Sequence, residues 1–578
     1  MTSKRGLPGL IDAWDHVAGA TLGALYVAWL LATAGTLGFA RDEGFYFRAA
    51  RQYSRWYDLL FAGKREAFEQ GAIDSIFSNN HEHPPLAKSL FGLSWEYLHE
   101  KSHVFAQAST AFRFPGMVWA GIAIWVTYLI GTRAYGRWAG GVAAVLLGLM
   151  PRVFYHSHLA CFDVPIMSMW TLSVYVYWRA TQERTLGWSV WAGVVFGLAL
   201  LTKHNAWFLP AVFVPHALLV DYRPFLRNLA AGRVSLPTTL VCMAVIGPVV
   251  FYAGWPWLWN DSIARVREYF EFHLNHEYYN MEFLGQNYNA APSPRSYMPV
   301  MVLATVPTVT LALAAVGGFE RLRLVGLRFA PWLKGELREF AQRWKDKNSE
   351  LPQRAAHVRA PRERDEKDIL FFLATAVPLA VFLLPKTPIF GGTKHWLPAY
   401  PFLAVFAGRG FVLTLNAMRN ALPALSERLR HGAELALAFT ICVGPLAITA
   451  HSHPFGLSSY VPLVGGTAGG ADLGLNRQFW GMTTQSVAPY LAKNAPRRAS
   501  VFIHDTSWDA WQQLLEEGRV RPDLRGVGSP AEADFALVQH ELHMNELDYQ
   551  IWVAFGTLAP DYVLTHDNVP IVSVYRRR

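Results

Sequence analysis

The stretch Asn80-His81-Glu82-His83-Pro84-Pro85-Leu86-Ala87-Lys88 follows Arg41-Asp42-Glu43, which closes the first apolar segment, and precedes a long series of further apolar segments. Imidazole, carboxylate and ammonium groups beside a bilayer are costly to keep there without partners, so a cluster of them marks a site. The run therefore reads as a reactive rim on a chain whose remaining architecture is set by the membrane.

Composition agrees. The 578 residues are 52% hydrophobic and 16% charged, with 22 Trp, 23 Tyr and 36 Phe, which excludes an ordinary soluble protein of this length. The net charge of +9 does not indicate nucleic acid, because the basic residues gather in short connections between alternate apolar segments. Cys161, Cys242 and Cys442 lie in or beside apolar segments and imply no disulfide framework.

At roughly twenty apolar residues per crossing, the chain yields about eleven spans. They fall near 17–39, 112–132, 138–157, 162–179, 186–203, 204–221, 236–256, 298–318, 368–385, 395–415 and 433–451. With Lys4 and Arg5 in the cytoplasm and the first segment retained as a span, alternation places Arg133/Arg137, Arg179/Arg184, Arg223/Arg227/Arg233 and Arg419/Arg428/Arg430 on the same side. A basic stretch, 319–367, joins them there and reads as a surface helix and linker.

Three long regions then face outward: 41–111, 257–297 and the tail from Ser452. The first has a rough helical period and reads as interfacial helices. The tail alternates β-like runs, Ser500-Val501-Phe502-Ile503 and Ile571-Val572-Ser573-Val574-Tyr575, with a helical stretch around Trp508 to Glu517. The expected fold is an all-α polytopic membrane module over 1–451, with a small extracytoplasmic α/β domain over 452–578.

These motifs resemble those of the polyprenyl-phosphate-sugar-dependent glycosyltransferases of the GT-C fold. The protein O-mannosyltransferase type (glycosyltransferase family 39) and the lipid A aminoarabinose transferases are the relatives they suggest. Arg41-Asp42-Glu43 is similar to the acidic motif of the family's first external loop, and His83-Pro84-Pro85-Leu86-Ala87-Lys88 to its His-Pro-Pro-Leu-x-Lys element. Cys161-Phe162-Asp163-Val164-Pro165, Thr202-Lys203 and Lys394-His395-Trp396-Leu397-Pro398 resemble later elements. The resemblance implies inverting transfer of one sugar, with mannose the family default, from an isoprenoid phosphate carrier to a hydroxyl on the extracytoplasmic side. A protein, glycolipid or polysaccharide would serve as acceptor. The connection where eukaryotic members carry a β-trefoil is short here, which weakens a protein acceptor and favours a prokaryotic inner membrane.

Local chemistry supports this reading. Displacement needs a base for the acceptor proton and cations for the departing phosphate. Asp42, where a helix leaves the membrane, stays ionised at the water boundary and is the expected general base, with Glu43 orienting the acceptor. Lys88, Lys203, Lys394 and His395 are the expected donor-phosphate ligands, supported by Glu82, His83 and Asp163. A divalent zinc, manganese or magnesium ion is a candidate cofactor, with His81 and His83 as its ligands. The aromatic loop of Trp257, Trp259, Tyr278, Tyr279 and Tyr288 reads first as an interfacial belt, and His273 and His276 stay outside the catalytic set. Two other classes compete. A lipid-linked oligosaccharide ligase also uses an isoprenoid carrier, but the His-Pro-Pro-Leu-x-Lys element opposes it. A transporter should show repeated halves with broken helices near the midplane, whereas the unusual acids here cluster at one surface.

Overall fold

The computed structural model describes residues 12–220, 236–345, 363–389 and 391–578. Lys4, Arg5, Arg223, Arg227 and Arg233, and 346–362 of the basic stretch, lie outside the described residues.

All eleven expected spans fall on helices, but they are less uniform than a hydropathy count suggests. Four helices are long and apolar enough to cross a bilayer unaided: Ala13–Thr36, Ala108–Tyr135, Gly392–Ala421 and Glu427–Ser452. Two expected spans are bent pairs. Arg137–Gly148 turns by 69° into Pro151–Ser157, and Tyr297–Thr305 turns by 116° into the helix that starts at Thr308. Pro151 and Pro307 sit at these breaks, where a missing N–H and a fixed φ interrupt the helical ladder. Leu186–Leu200 and Thr238–Ala253 are apolar but short. The chain is a multi-pass membrane protein whose spans are partly broken.

Helices approach closely where side chains are small. A Cβ on Gly23 of the first span would lie 2.5 Å from the carbonyl oxygen of Gly121 in Ala108–Tyr135, so only glycine permits this crossing. Several charged groups inside the bundle are paired. Arg409 donates to Glu320 at 2.8 Å, and Arg321 and the Tyr135 hydroxyl converge on buried Asp368. The first part of the basic stretch therefore continues the Thr308–Lys345 helix with inward pairs, rather than lying wholly on the surface.

The first outer region holds the helices Arg41–Phe61, Gln70–Phe77 and Leu86–Trp95, as expected. The aromatic loop folds onto it. Trp259 meets Trp56 at 6.0 Å between ring centroids, and Trp257 meets His81 at 4.9 Å. Trp257 and Trp259 thus pack on the first region's helices and loop, while Tyr279 is 51% exposed. The loop contains a hairpin, β1 (Met281–Phe283) and β2 (Gln286–Tyr288).

The tail carries a five-stranded sheet: β3 (Ser500–Ile503), β4 (Arg525–Val527), β5 (Phe535–Gln539), β6 (Tyr562–His566) and β7 (Val569–Arg576), in the order β4-β3-β5-β7-β6. β3 runs parallel to β4 and β5, while β7 is antiparallel to β5 and β6. The helix Trp508–Glu516 makes the crossover from β3 to β4, as the sequence pattern predicts. One face of the sheet has a core of the tail's own, with Phe502, Ala536, Val538, Ile551, Phe555 and Tyr575 buried together, but the other face is shared with the first outer region. Leu37, Phe39, Tyr46 and Phe47 share one buried cluster with Trp480, Val501, Trp511, Leu514 and Val574.

Candidate active site

The helix Arg41–Phe61 starts immediately after the first span, and the tail fixes its first residue at three points. The Arg41 N–H donates to the Trp480 carbonyl at 2.8 Å. The Ser507 hydroxyl donates to the Arg41 carbonyl at 2.8 Å, and the Arg41 guanidinium reaches Asp505 at 2.7 Å. Asp42 is thereby held at the rim, in the first turn, where a negative charge meets the positive end of the helix. Its carboxylate is 23% exposed and lies 3.9 Å from the Lys394 ammonium and 3.7 Å from the Arg41 guanidinium.

Lys394 is delivered by a different device. Gly391 and Gly392 adopt φ of 73° and 62°, a left-handed turn that places the lysine at the head of the Tyr400–Ala421 helix. A Cβ on Gly391 would lie 2.5 Å from the Lys394 Cε. The ammonium sits 3.8 Å from the centre of the Trp480 ring, a cation–π contact that holds the charge while water is excluded.

Asp163 opens the helix Asp163–Glu183 and accepts from Lys203 at 2.6 Å, with both side chains buried. Around this pair several buried polar atoms have no partner among the described residues: both ring nitrogens of His156, Nε of Arg152, Oδ1 of Asn205 and Oγ1 of Thr393. Buried polar groups in folded proteins are almost always satisfied, so these face a region suited to a polar ligand or water. The bend at Pro151 brings Arg152 and His156 here. The four elements thus converge two lysines and two carboxylates on one spot, Asp42 being the acid of the two that is partly open to solvent.

Other expected residues take different places. Glu43, expected to orient the acceptor, is 0% exposed. It accepts from Nε and Nη2 of Arg113 at 2.8 and 2.7 Å, and from the Ala160 and Ala40 N–H groups at 3.0 Å each. Its acceptor capacity is filled, and its role is to join the first external helix to Ala108–Tyr135. Lys88, expected at the phosphate, is also fully buried. Its ammonium donates to the Asn80 carbonyl, to Asn80 Oδ1 at 3.1 Å and to the His83 carbonyl at 2.9 Å, over the Tyr53 ring at 4.9 Å. All three of its protons clamp the Asn80–His83 loop. Burial pushes its pKa down to about 7, against the pull of Glu82.

His81 and His83 do not form a metal pair. His81 Nε2 is 2.8 Å from Glu268, whereas the half-buried His83 ring packs on Phe162 at 5.2 Å and on His273 at 5.8 Å. Burial and nearby Lys88 hold His83 well below the usual imidazole range. Glu82 accepts from Asn80 Nδ2 at 2.6 Å, and its carbonyl lies 3.0 Å from His273 Nε2. His273 also stacks on His204 at 4.2 Å. His395 is buried with its ring 5.2 Å from Phe382, and its carbonyl accepts from Asn205 at 3.4 Å. The site therefore brings together Asp42, Asp163, Lys203 and Lys394. It sets Glu43, Lys88 and His83 behind them as supports.

Sequence reasoning missed Arg113, Trp480, Arg152 and the carboxyl pair Asp505 and Glu541. Arg113 carried a signal, a lone arginine within an apolar span, which demands a buried partner. Asp505 and Glu541 carried none, because they meet only through the folding of the tail. Burial raises both above the usual carboxylate range, helped by the charge of Asp42 at Asp505 and by that of Asp505 at Glu541, which lies far above it.

Residues 83–252 match the model of the family described as dolichyl-phosphate-mannose-protein mannosyltransferase. The family that the motifs resemble is thus the one whose model the chain matches. The matched segment contains His83, Lys88, Asp163 and Lys203, and leaves Asp42 and Lys394 outside. No curated protein matches the chain in sequence. Among solved structures, it is similar to ArnT from Cupriavidus metallidurans bound to undecaprenyl phosphate, at 15% identity and a TM-score of 0.42, over 97% of this chain and 98% of that one. It is also similar to the archaeal oligosaccharyltransferase AglB from Archaeoglobus fulgidus in complex with an inhibitory peptide and a dolichol-phosphate, at 12% identity and a TM-score of 0.47, over 94% of this chain and 72% of that one. At these scores the likenesses place no residue and assign no chemistry.

Proposed function

We propose that the chain is an inverting glycosyltransferase that moves one sugar from a polyprenyl-phosphate carrier to a hydroxyl acceptor, on the extracytoplasmic face of a prokaryotic inner membrane. The observation that carries this reading is the placement of Asp42. Of the acids Asp42, Glu43 and Asp163, it alone is partly open to solvent, and it stands 3.9 Å from a buried ammonium at the mouth of the bundle.

In the proposed reaction Asp42 takes the acceptor hydroxyl proton. The freed oxygen forms a bond to the anomeric carbon from the face opposite the phosphate, and the bond from that carbon to the phosphate oxygen breaks. Charge grows on the phosphate as it leaves, and Lys394 and Lys203 supply compensating charge in a site with little water. His81 and His83 do not make a metal site, so no step is assigned to a metal. The family match over residues 83–252 supports the donor class, with mannose the first sugar to test.

The test is release of free polyprenyl phosphate by purified protein from a panel of polyprenyl-phosphate sugars with membrane extract, comparing wild type with Asp42→Asn. Release by wild type, lowered about 10²–10⁴-fold in the variant, is the expected result for loss of a general base. Equal release by both removes Asp42 as base. No release from any donor moves the ligase or transporter reading ahead.

A further inference from the structure

The last span, Glu427–Ser452, ends at His451, and this ring meets the tip of the β6–β7 hairpin, which folds back from the far end of the tail. His451 Nε2 lies 2.7 Å from Asp567 Oδ1, and His566 Nε2 lies 3.8 Å from Asp567 Oδ2. The two imidazoles stack at 5.4 Å between centroids. One donor atom from each of the three residues falls within 4.8 Å of the other two, and no other group of three such donors occurs among the described residues. We propose that His451, His566 and Asp567 form a binding site for a divalent transition metal of the zinc type, which fastens the outer α/β unit to the exit of the last membrane helix.

The donor chemistry fits. Two imidazole nitrogens and one carboxylate oxygen are ligands that zinc takes in four-coordinate sites, the fourth position going to water. Ligand atoms about 2.0–2.1 Å from a tetrahedral ion stand roughly 3.3 Å apart, so the present arrangement needs only a small contraction. His451 can supply it, since its side chain is 66% exposed and free to turn, which also opens a path for the ion. The other two donors are held in place. Asp567 and Asn568 take φ of 50° and 63°, the tight turn that projects the carboxylate from the hairpin.

The surrounding groups already orient the donors. The Thr467 hydroxyl donates to Asp567 Oδ2 at 2.7 Å, leaving Oδ1 on the side of His451. The Ser459 hydroxyl lies 2.8 Å from His566 Nε2, and rotates away when that nitrogen takes a metal. Supporting hydrogen bonds of this kind fix ligand direction and strengthen binding. The three donors come from the end of a membrane helix and from a hairpin over a hundred positions later, with the support groups on the intervening chain. A metal here would therefore close a long loop, where cross-links restrict the unfolded chain most. Without a metal the same contacts form a His–Asp hydrogen bond on the surface, which is the competing explanation.

The experiment uses the full chain purified in detergent, stripped with a chelator and reloaded with zinc alone. Bound zinc is counted by elemental analysis, the cobalt-substituted protein is examined by visible absorption, and melting is followed with and without metal. Wild type is expected to hold about one zinc per chain more than His451→Ala or Asp567→Asn, to show the intense visible bands of four-coordinate cobalt, and to melt higher with zinc. His451→Ala removes an exposed ring and leaves the fold intact, so a loss of zinc there reports the site and not unfolding. Equal zinc content and equal melting response in wild type and both variants, or no zinc on wild type, overturns the proposal. Neither outcome depends on sugar transfer.

Discussion

Asp42 and Glu43 are neighbours in sequence with opposite fates, and the difference lies in what each carboxylate touches. Glu43 is saturated by Arg113 and two backbone N–H groups in a dry site. Removing it leaves a guanidinium buried without its partner. We expect Glu43→Ala to lower stability by about 3–5 kcal/mol in chemical denaturation, the usual cost of breaking a buried pair from one side. Asp42 has no such neighbours within hydrogen-bond distance, and Asp42→Asn should melt close to wild type while losing turnover. Equal stability loss in the two variants would sink the division of roles. Lys88 belongs with Glu43. Lys88→Met should cost about 1–3 kcal/mol, since the Asn80 and His83 carbonyls lose their donor. Its effect on transfer should follow from a loosened loop: binding of isolated polyprenyl phosphate should weaken far less in Lys88→Met than in Lys394→Met. The reverse order would return Lys88 to the phosphate.

At the level of elements, the close seat of the Arg41–Phe61 helix against Trp508–Glu516 decides where Asp42 stands. A Cβ on Gly44 would lie 2.4 Å from the Ser507 hydroxyl and 2.6 Å from the Ala510 nitrogen. Gly44→Ala must therefore push the two helices apart. We expect a loss of about 1–3 kcal/mol, as for other overpacked contacts, and faster proteolysis within the tail. Unchanged cleavage would show that the contact is slack. Hydropathy located the helices because apolar length is a local property, and it located Asp163, Lys203 and Lys394 because a polar residue at the end of an apolar run stands out. It could not show that Arg137–Gly148 and Tyr297–Thr305 are half-spans, since the summed hydropathy across a proline break equals that of a straight helix. Nor could it show that the Lys88 ammonium turns back onto its own loop. The order of residues in a motif says which groups are near one another, but not which proton each one spends. Arg113 pairs with a residue 70 positions away, and Trp480 reaches Lys394 only after the tail folds back.

Over the whole molecule, the C-terminal α/β unit shares one of its two buried clusters with the membrane module, so the tail forms part of the site wall. The joint runs through Arg41, which lies between Asp42 and Asp505, while Glu541 accepts from Gln478 within the tail. Burial raises both Asp505 and Glu541 above their unfolded values, with the charge of Asp505 adding to the rise at Glu541. A carboxyl raised on folding binds its proton more tightly in the folded state. Its contribution to stability is full below the unfolded value near pH 4.5 and is lost as pH rises through the folded value. The joint should therefore loosen as pH rises above the unfolded carboxyl value and through the raised folded one. We expect the melting temperature of wild type to fall across this range. Glu541→Gln, which keeps the shape and a donor without the charge, should flatten that fall and melt above wild type at the alkaline end. The same variant should leave the acid-end melting temperature unchanged, because the wild-type group is protonated there. If wild type and Glu541→Gln show parallel pH profiles, the pair does not carry the proton, and the seat of the tail on Asp42 depends on packing and on the Arg41 contacts alone.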